Sequence, residues 1–429
     1  MKITSKADKI IIGIILVINI LLIILRLQTG GFSSPRGNFL SAILFVCILF
    51  GLLYLFFSKK YDYFILLWLS FYFASPILAL PFTTIGSLGI LNAIFIPLML
   101  YKSFDLKNKY LVIILSIFLV GVLNISSVEI QVIISRIFSF LAPFIFFYFV
   151  LKKCKNLELI MWGAIIIALI NAPLGIYEFF SKPVWGSNAD WRGTRIFGNL
   201  FGPNPYSFYL LSCILGLYAF FKKAKNKWIF AMMLILVIVD VFTFSRNGLV
   251  CLILAVAVFE FFYKTGFKIT KRKMAILALL LLSLFAYIYI SPNLDTHFTT
   301  ETIKERTSIW ESITPFIKGN LILGNGLGSY DIYRENFLYA LSSHNYYLNI
   351  MFELGLIGLF LFLTFLFFIF LDLKAKLHAK SSFRSGELGL ALLAGIIVFS
   401  FVGNAAFNQV VSLNAWIFLA CCVKYNEKD

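Results

Sequence analysis

SSHNYYLNIMFELGLIGLFLFLTFLFFIFL, residues 342–371, sets a polar turn directly against a long apolar run. From Tyr346 to Leu371 the chain reads as a helix able to cross a bilayer, which takes about 20 apolar residues at a rise of about 1.5 Å each. His344 is then expected at a membrane surface, at the mouth of that helix. It is one of three histidines, with His297 and His378, and an imidazole so placed suits proton transfer near neutral pH. A lone interfacial histidine can equally serve only to hydrate a helix end, so the surrounding chain decides between the two.

Outward from this stretch the same pattern recurs. Apolar runs long enough to span occur at about 10–27, 39–57, 63–80, 86–101, 110–125, 130–151, 158–180, 204–221, 228–244, 248–263, 274–290, 346–371, 387–403 and 408–423. Residues 1–429 therefore read as one all-α, polytopic integral membrane domain of roughly 12–14 transmembrane helices, the run at 86–101 with Pro97 inside it being the weakest. The composition agrees: 61% apolar, 18% aromatic and 13% charged residues. The first run has a lysine-bearing start and no small-residue cleavage site after it, so it reads as an uncleaved first span. None of the six cysteines lies in the long polar segment, and no disulfide framework is implied.

The net charge of +17 would suggest nucleic acid in a soluble protein. Here the cations sit in short loops between apolar runs, which excludes nucleic acid and sets an orientation instead. With the lysine-rich amino terminus in the cytoplasm and sides alternating, 26 of the 37 Lys and Arg residues fall inside, 10 outside, and Arg136 within a run. The acids split about evenly, so the bias is cationic, and both termini are cytoplasmic. The outer face then collects a medium loop (181–203), a tight turn at Ser245–Asn247 and a long loop (291–345). In the long loop Ile303, Trp310, Ile313 and Ile317 share one helical stripe, the pattern of a short amphipathic helix on a membrane or over a cavity. Arg306 falls on that stripe, where it either snorkels to lipid phosphate or points into an anionic site. Gly324, Gly326 and Gly328 signal turns, without the strand-to-helix context of a nucleotide loop.

The outer arginines Arg192, Arg195, Arg246 and Arg306 share a chemistry, because a guanidinium presents a fixed fork of donors that grips phosphate bidentately. A headgroup contact suits Arg192 and Arg334. Arg246 sits in a turn with little room to reach water, and Arg195 precedes Gly198 and Gly202 at the edge of a run. Arg136 and Asp240 lie within runs and are expected to be paired inside the bundle, since a mid-membrane charge costs about 2.5–3.5 kcal/mol. Glu353, nine residues after His344, is too far along the helix for direct contact and reads as an interior acid. The medium and long outer loops contain no aspartate pair spaced for a divalent metal, no second histidine near His344 and no nucleophile turn, so no metal and no cofactor is expected.

Four pieces in order resemble one family: TRIFGNLFGPNPYSFYLL around Arg195, FSRNGL around Arg246, ERTSIWESITPFIKGNLILGNGLGSY around Arg306, and His344–Asn345 followed by Gly355 and Gly358. This arrangement is similar to the O-antigen polymerase and O-antigen ligase superfamily of bacterial integral membrane proteins. The resemblance covers roughly residues 190–360. It implies an inverting, metal-independent glycosyltransferase at the periplasmic face of the inner membrane, with an undecaprenyl-diphosphate-linked oligosaccharide as donor. It further implies His344 as general base, with Arg195, Arg246, Arg306, Asn345 and Arg192 binding diphosphate or substrate. The acceptor glycan would be a lipid-linked repeat unit for a polymerase or lipid A core for a ligase; the GNGLGSY and SSHNYYLNIMFELGLIG pieces resemble polymerase versions more. A chain-length regulator is a further partner the resemblance implies, alongside membrane lipids. The rival from another class is a lipid-linked glycan flippase, which would place its charges within spans rather than beside a loop of this length.

Overall fold

The computed structural model describes residues 6–29, 39–74, 86–123, 130–181, 203–243, 245–263, 270–271, 275, 300–333, 343–377, 384–402 and 409–425. Among them every regular element is a helix. The helices are α1 (Lys6–Thr29), α2 (Phe39–Phe57), α3 (Tyr61–Ala74), α4 (Gly86–Ser103), α5 (Lys109–Leu123), α6 (Ile130–Lys153), α7 (Leu157–Ser181) and α8 (Pro203–Ala224). They continue with α9 (Lys227–Phe242), α10 (Arg246–Phe262), α11 (Thr300–Gly319), α12 (Ser329–Tyr333), α13 (Tyr346–Lys376), α14 (Ser385–Val402) and α15 (Gln409–Lys424). The all-α, polytopic reading holds. Leu157–Phe180, Asn204–Ala224 and Tyr346–Lys376 are long and apolar enough to cross a membrane by length and composition. The expected run at 274–290 lies almost wholly outside the described residues.

Local chemistry explains the helix limits. Asparagines in the short loops accept from the first turn: Asn108 Oδ1 from Tyr110 N at 3.0 Å, Asn156 Oδ1 from Leu159 N at 3.1 Å, and Asn226 Oδ1 from Trp228 N at 2.8 Å. Each satisfies a donor that the helix cannot. Pro97, Pro143 and Pro173 lie inside α4, α6 and α7, which membrane helices tolerate because neighbouring groups take up the freed carbonyls.

The chain divides into two units, one of residues 1–103, 142–249 and 408–429 and the other of 104–141 and 250–407. The first unit is cored by aromatic rings from α2, α3, α4 and α6, in which Phe56, Phe64, Trp68, Phe95, Phe146 and Phe149 pack edge to face or tilted, with Phe56 stacked on Phe149. Polar bonds between helices mark its interior, Asn19 Nδ2 to Ser70 Oγ at 2.9 Å and Asn414 Nδ2 to Ser212 Oγ at 2.8 Å. Such bonds fix helix register where apolar packing alone does not discriminate.

The second unit is built on α13, which packs against α5 and α14. At the end of α13 remote from His344, Asp372 receives Lys109 Nζ at 2.6 Å and the Tyr110 hydroxyl at 2.5 Å. Near the other end Tyr347 donates to the Ile397 carbonyl at 3.1 Å. The expected run at 346–371 is found within Tyr346–Lys376, and inside it Gly355 (φ 63°, ψ −164°) leaves the helical region and divides α13 in two.

Candidate active site

The turn that carries His344 is held from both sides. Asn345 caps α13, its Oδ1 accepting from Leu348 N at 3.2 Å. Ser343 is buried, and its hydroxyl donates to the Asn345 carbonyl at 2.8 Å. His344 itself adopts φ 51°, a left-handed conformation that most side chains avoid. Strain of this kind persists only where neighbouring contacts over-determine the backbone.

Those contacts come from α11. Ile309, Ile313 and Ile317, four residues apart on one face, bury against Phe352 of α13 and Tyr330 of α12, with Trp310, Phe316 and Leu348 around them. Trp310 adds a polar pin, its Nε1 donating to the Ser343 carbonyl at 2.7 Å. The expected stripe is thus found with Ile309 as its buried first rung, while the side chain of Ile303 lies outside the described ones. Arg306 stands one turn before this contact, within electrostatic reach of His344.

The pairing has an electrostatic consequence. Burial first, and then the positive charge of Arg306, pull the His344 pKa down to about 4. A half-buried imidazole beside a guanidinium resists taking a second cation into the same space. The neutral form of His344 is thereby favoured at neutral pH, with the positive charge of Arg306 contributing to that preference.

Beneath the histidine turn lies a feature that sequence reasoning missed. Where α13 breaks at Gly355, the loop from Leu321 to Gly326 lies against the gap. Asn325 N and Gly326 N donate to the carbonyls of Phe352 and Glu353 at 2.8 and 2.9 Å, and Asn325 Nδ2 adds a second bond to Phe352 O at 3.0 Å. On the far side Leu356 N and Ile357 N donate to the carbonyls of Leu321 and Ile322 at 2.9 and 3.2 Å. The broken helix thus recovers part of its backbone pairing from the loop, as non-helical backbone at membrane depth must. A Cβ on Gly324 would come within 2.5 Å of the Glu353 carbonyl, and one on Gly355 within 2.3 Å of the Ile322 oxygen. Gly324 has φ 74°. Leu327 then seats over Gly121 of α5, where a Cβ would lie 2.2 Å from the leucine. The glycines at 324 and 355, read from sequence as turn and motif residues, are the two faces of this joint. An isolated glycine in the middle of a long helical run was the available signal.

Arg246 opens α10 and is described within the first unit. Ser245 caps that helix, its Oγ accepting from Gly248 N at 3.2 Å and donating to Asn204 Oδ1 at 2.9 Å. Ser207 donates to Asp240, which is buried as expected of an intramembrane acid and finds a hydroxyl partner in the bundle. Gly248 lies so close to Ser207 that an added Cβ would fall 1.7 Å from its Oγ. Arg246 is thereby fixed at the head of a tightly packed turn. Arg192, Arg195, Arg334, His297 and His378 lie outside the described residues, as does the side chain of Arg136. Glu353 is half-buried.

Residues 230–363 match the family model described as O-Antigen ligase. The match supports the O-antigen polymerase and ligase superfamily. It takes in Arg246, Arg306, His344, Asn345 and both halves of the α13 joint, and it begins after Arg195. No curated protein matches the chain. The O-antigen family points to glycosyl transfer in the O-antigen pathway, acting on lipid-linked glycans in the membrane.

Proposed function

We propose that this protein is a polysaccharide polymerase of the O-antigen type, transferring an undecaprenyl-diphosphate-linked glycan to a lipid-linked repeat unit at the periplasmic face of the inner membrane. The observation that carries the reading is the Trp310–Ser343 hydrogen bond, which ties the helix bearing Arg306 to the turn bearing His344 at the mouth of α13. His344 takes the proton from an acceptor sugar hydroxyl as that oxygen bonds to the donor's anomeric carbon. The bond from that carbon to the diphosphate oxygen breaks on the opposite face, inverting the centre, and the electron pair leaves with the diphosphate. Arg306 stabilises the charge developing there, as a preorganised donor does without reorganising in the transition state. The family resemblance assigns Arg246, Arg195, Arg192 and Asn345 to diphosphate or substrate binding. No metal is needed, since the leaving group already carries its charge on phosphate.

The match to the O-Antigen ligase family favours a second reading, in which the acceptor is lipid A core and the enzyme a ligase. One experiment separates the two. Purified protein given only lipid-linked single repeats should yield a ladder of longer lipid-linked chains, with a chelator present, if it is a polymerase. An unchanged mixture that reacts once lipid A core is added, giving one transfer per chain, would establish the ligase and refute the polymerase. His344→Ala should abolish either product while expression and membrane insertion stay near normal.

A further inference from the structure

The break in α13 coincides with a change in what surrounds the helix. From Tyr346 to Gly355 no residue is exposed. Immediately beyond it Leu356, Ile357, Phe360, Leu363, Phe367 and Leu371 are all exposed large apolar side chains. A row of bare leucine and phenylalanine on a helix of this composition is a lipid-facing row. The apolar stretch Leu356–Leu371 rises about 24 Å, most of a hydrocarbon core of about 30 Å. The lipid-facing row of α13 thus begins just beyond Gly355.

Two further apolar residues sit at that level. Leu321 and Ile322 follow α11, and their carbonyls accept from Leu356 N and Ile357 N, the first two residues of the lipid-facing segment. Their side chains are 41% and 64% exposed. Lys318, at the end of α11, is exposed as well. We infer that Leu321 and Ile322 form a lipid anchor, inserted among the acyl chains at the outer edge of the bilayer, with Lys318 at the level of the headgroup phosphates. Acyl chains are the occupant because the tip continues the lipid-facing row through two backbone hydrogen bonds, and a lysine beside an apolar tip is the arrangement by which interfacial helices hold their depth. The anchor fixes the height of α11, and with it Arg306. His344 then stands at most about 20 Å from the lipid-facing row along α13, beyond the headgroup layer. Lipid-linked sugars project to that height. The inference rests on α13 crossing the membrane and is independent of which glycan is transferred.

The test uses the full chain in proteoliposomes. Cys47, the exposed cysteine, is changed to Ser, the other five being buried. A nitroxide is then placed by Ile322→Cys, with Leu363→Cys as the lipid-row reference and Glu311→Cys on the exposed face of α11 as the aqueous reference. Power saturation with oxygen and with a water-soluble nickel chelate should give an oxygen-to-nickel ratio at 322 close to that at 363. It should exceed the ratio at 311 by on the order of fivefold, because polar chelates are excluded from hydrocarbon. Leu321→Cys, labelled in the same way, should agree. A ratio at 322 equal to that at 311 would overturn the anchor. Spin–spin broadening at 322 would place a second copy there instead of lipid, also overturning it. A water-like ratio at 363 would overturn the membrane crossing of α13 itself, whereas failure of glycan transfer leaves all these readings unaffected.

Discussion

Trp310 donates its indole Nε1–H to the carbonyl of Ser343 at 2.7 Å, and this bond ties the helix that carries Arg306 to the turn that carries His344. Removing it tests whether the pairing of those two residues matters. Trp310→Phe keeps an aromatic ring beside the Ile309–Ile313 face but leaves the carbonyl of buried Ser343 without this donor. An unmatched buried acceptor costs about 1–3 kcal/mol. Transfer is expected to fall about tenfold or more while the protein still inserts and purifies. A variant with unchanged kcat and unchanged melting temperature would show that the pin is idle.

Acid should disclose the setting of His344. Its pKa is about 4 in the folded protein against an ordinary 6.5. The neutral, proton-accepting form therefore persists until the pH falls towards 4, and the acid limb of kcat/KM is expected there rather than near 6.5. Linkage has the same sign: the unfolded chain takes up the proton first, so the His344 contribution to stability is greatest above pH 6.5 and declines as pH falls towards 4. Arg306→Gln removes the lesser of the two causes and should move the limb part of the way back up. An acid limb near 6.5 in the unmodified protein contradicts the buried, arginine-flanked geometry.

The joint in α13 predicts opposite outcomes for two glycines. Gly355→Ala must place a Cβ 2.3 Å from the Ile322 oxygen at φ 63°, so it should lower the melting temperature and yield sharply. Gly319→Ala meets nothing within 4 Å and should be neutral or slightly stabilising. Equal thermal stability of the two variants in detergent would mean that the loop does not close the break.

Arg246 offers a test of phosphate gripping. Lysine keeps the charge but replaces the fork with a point donor. Arg246→Lys is expected to lose at least about tenfold in transfer, with normal expression. Full activity would reduce this residue to a headgroup contact.

Sidedness follows from the cation bias of 26 residues to 10. A cysteine label at Asn320, which is exposed, should be reached from the periplasm, and one at Lys225, also exposed, only after permeabilisation. Labelling of Lys225 in intact cells would invert the proposed location of the site.

The sequence by itself determined the helices, because a bilayer imposes one length and one composition on whatever crosses it. Asp240 inside a run, Arg306 on the α11 stripe and His344 at a helix mouth were all legible for that reason: a costly residue in an apolar run has few places to go. What only the tertiary structure decided was long-range. Nothing local to Trp310 points to Ser343, and nothing local to Asn325 points to Phe352, 27 residues away. Gly355 reads as an ordinary helical glycine until the Leu321–Gly326 loop is seen against it. Such relations depend on which backbone donors another part of the chain leaves unsatisfied. Periodicity reports the face a residue occupies, whereas only the folded chain shows what that face meets, and so only the fold tied the helix of Arg306 to the turn of His344.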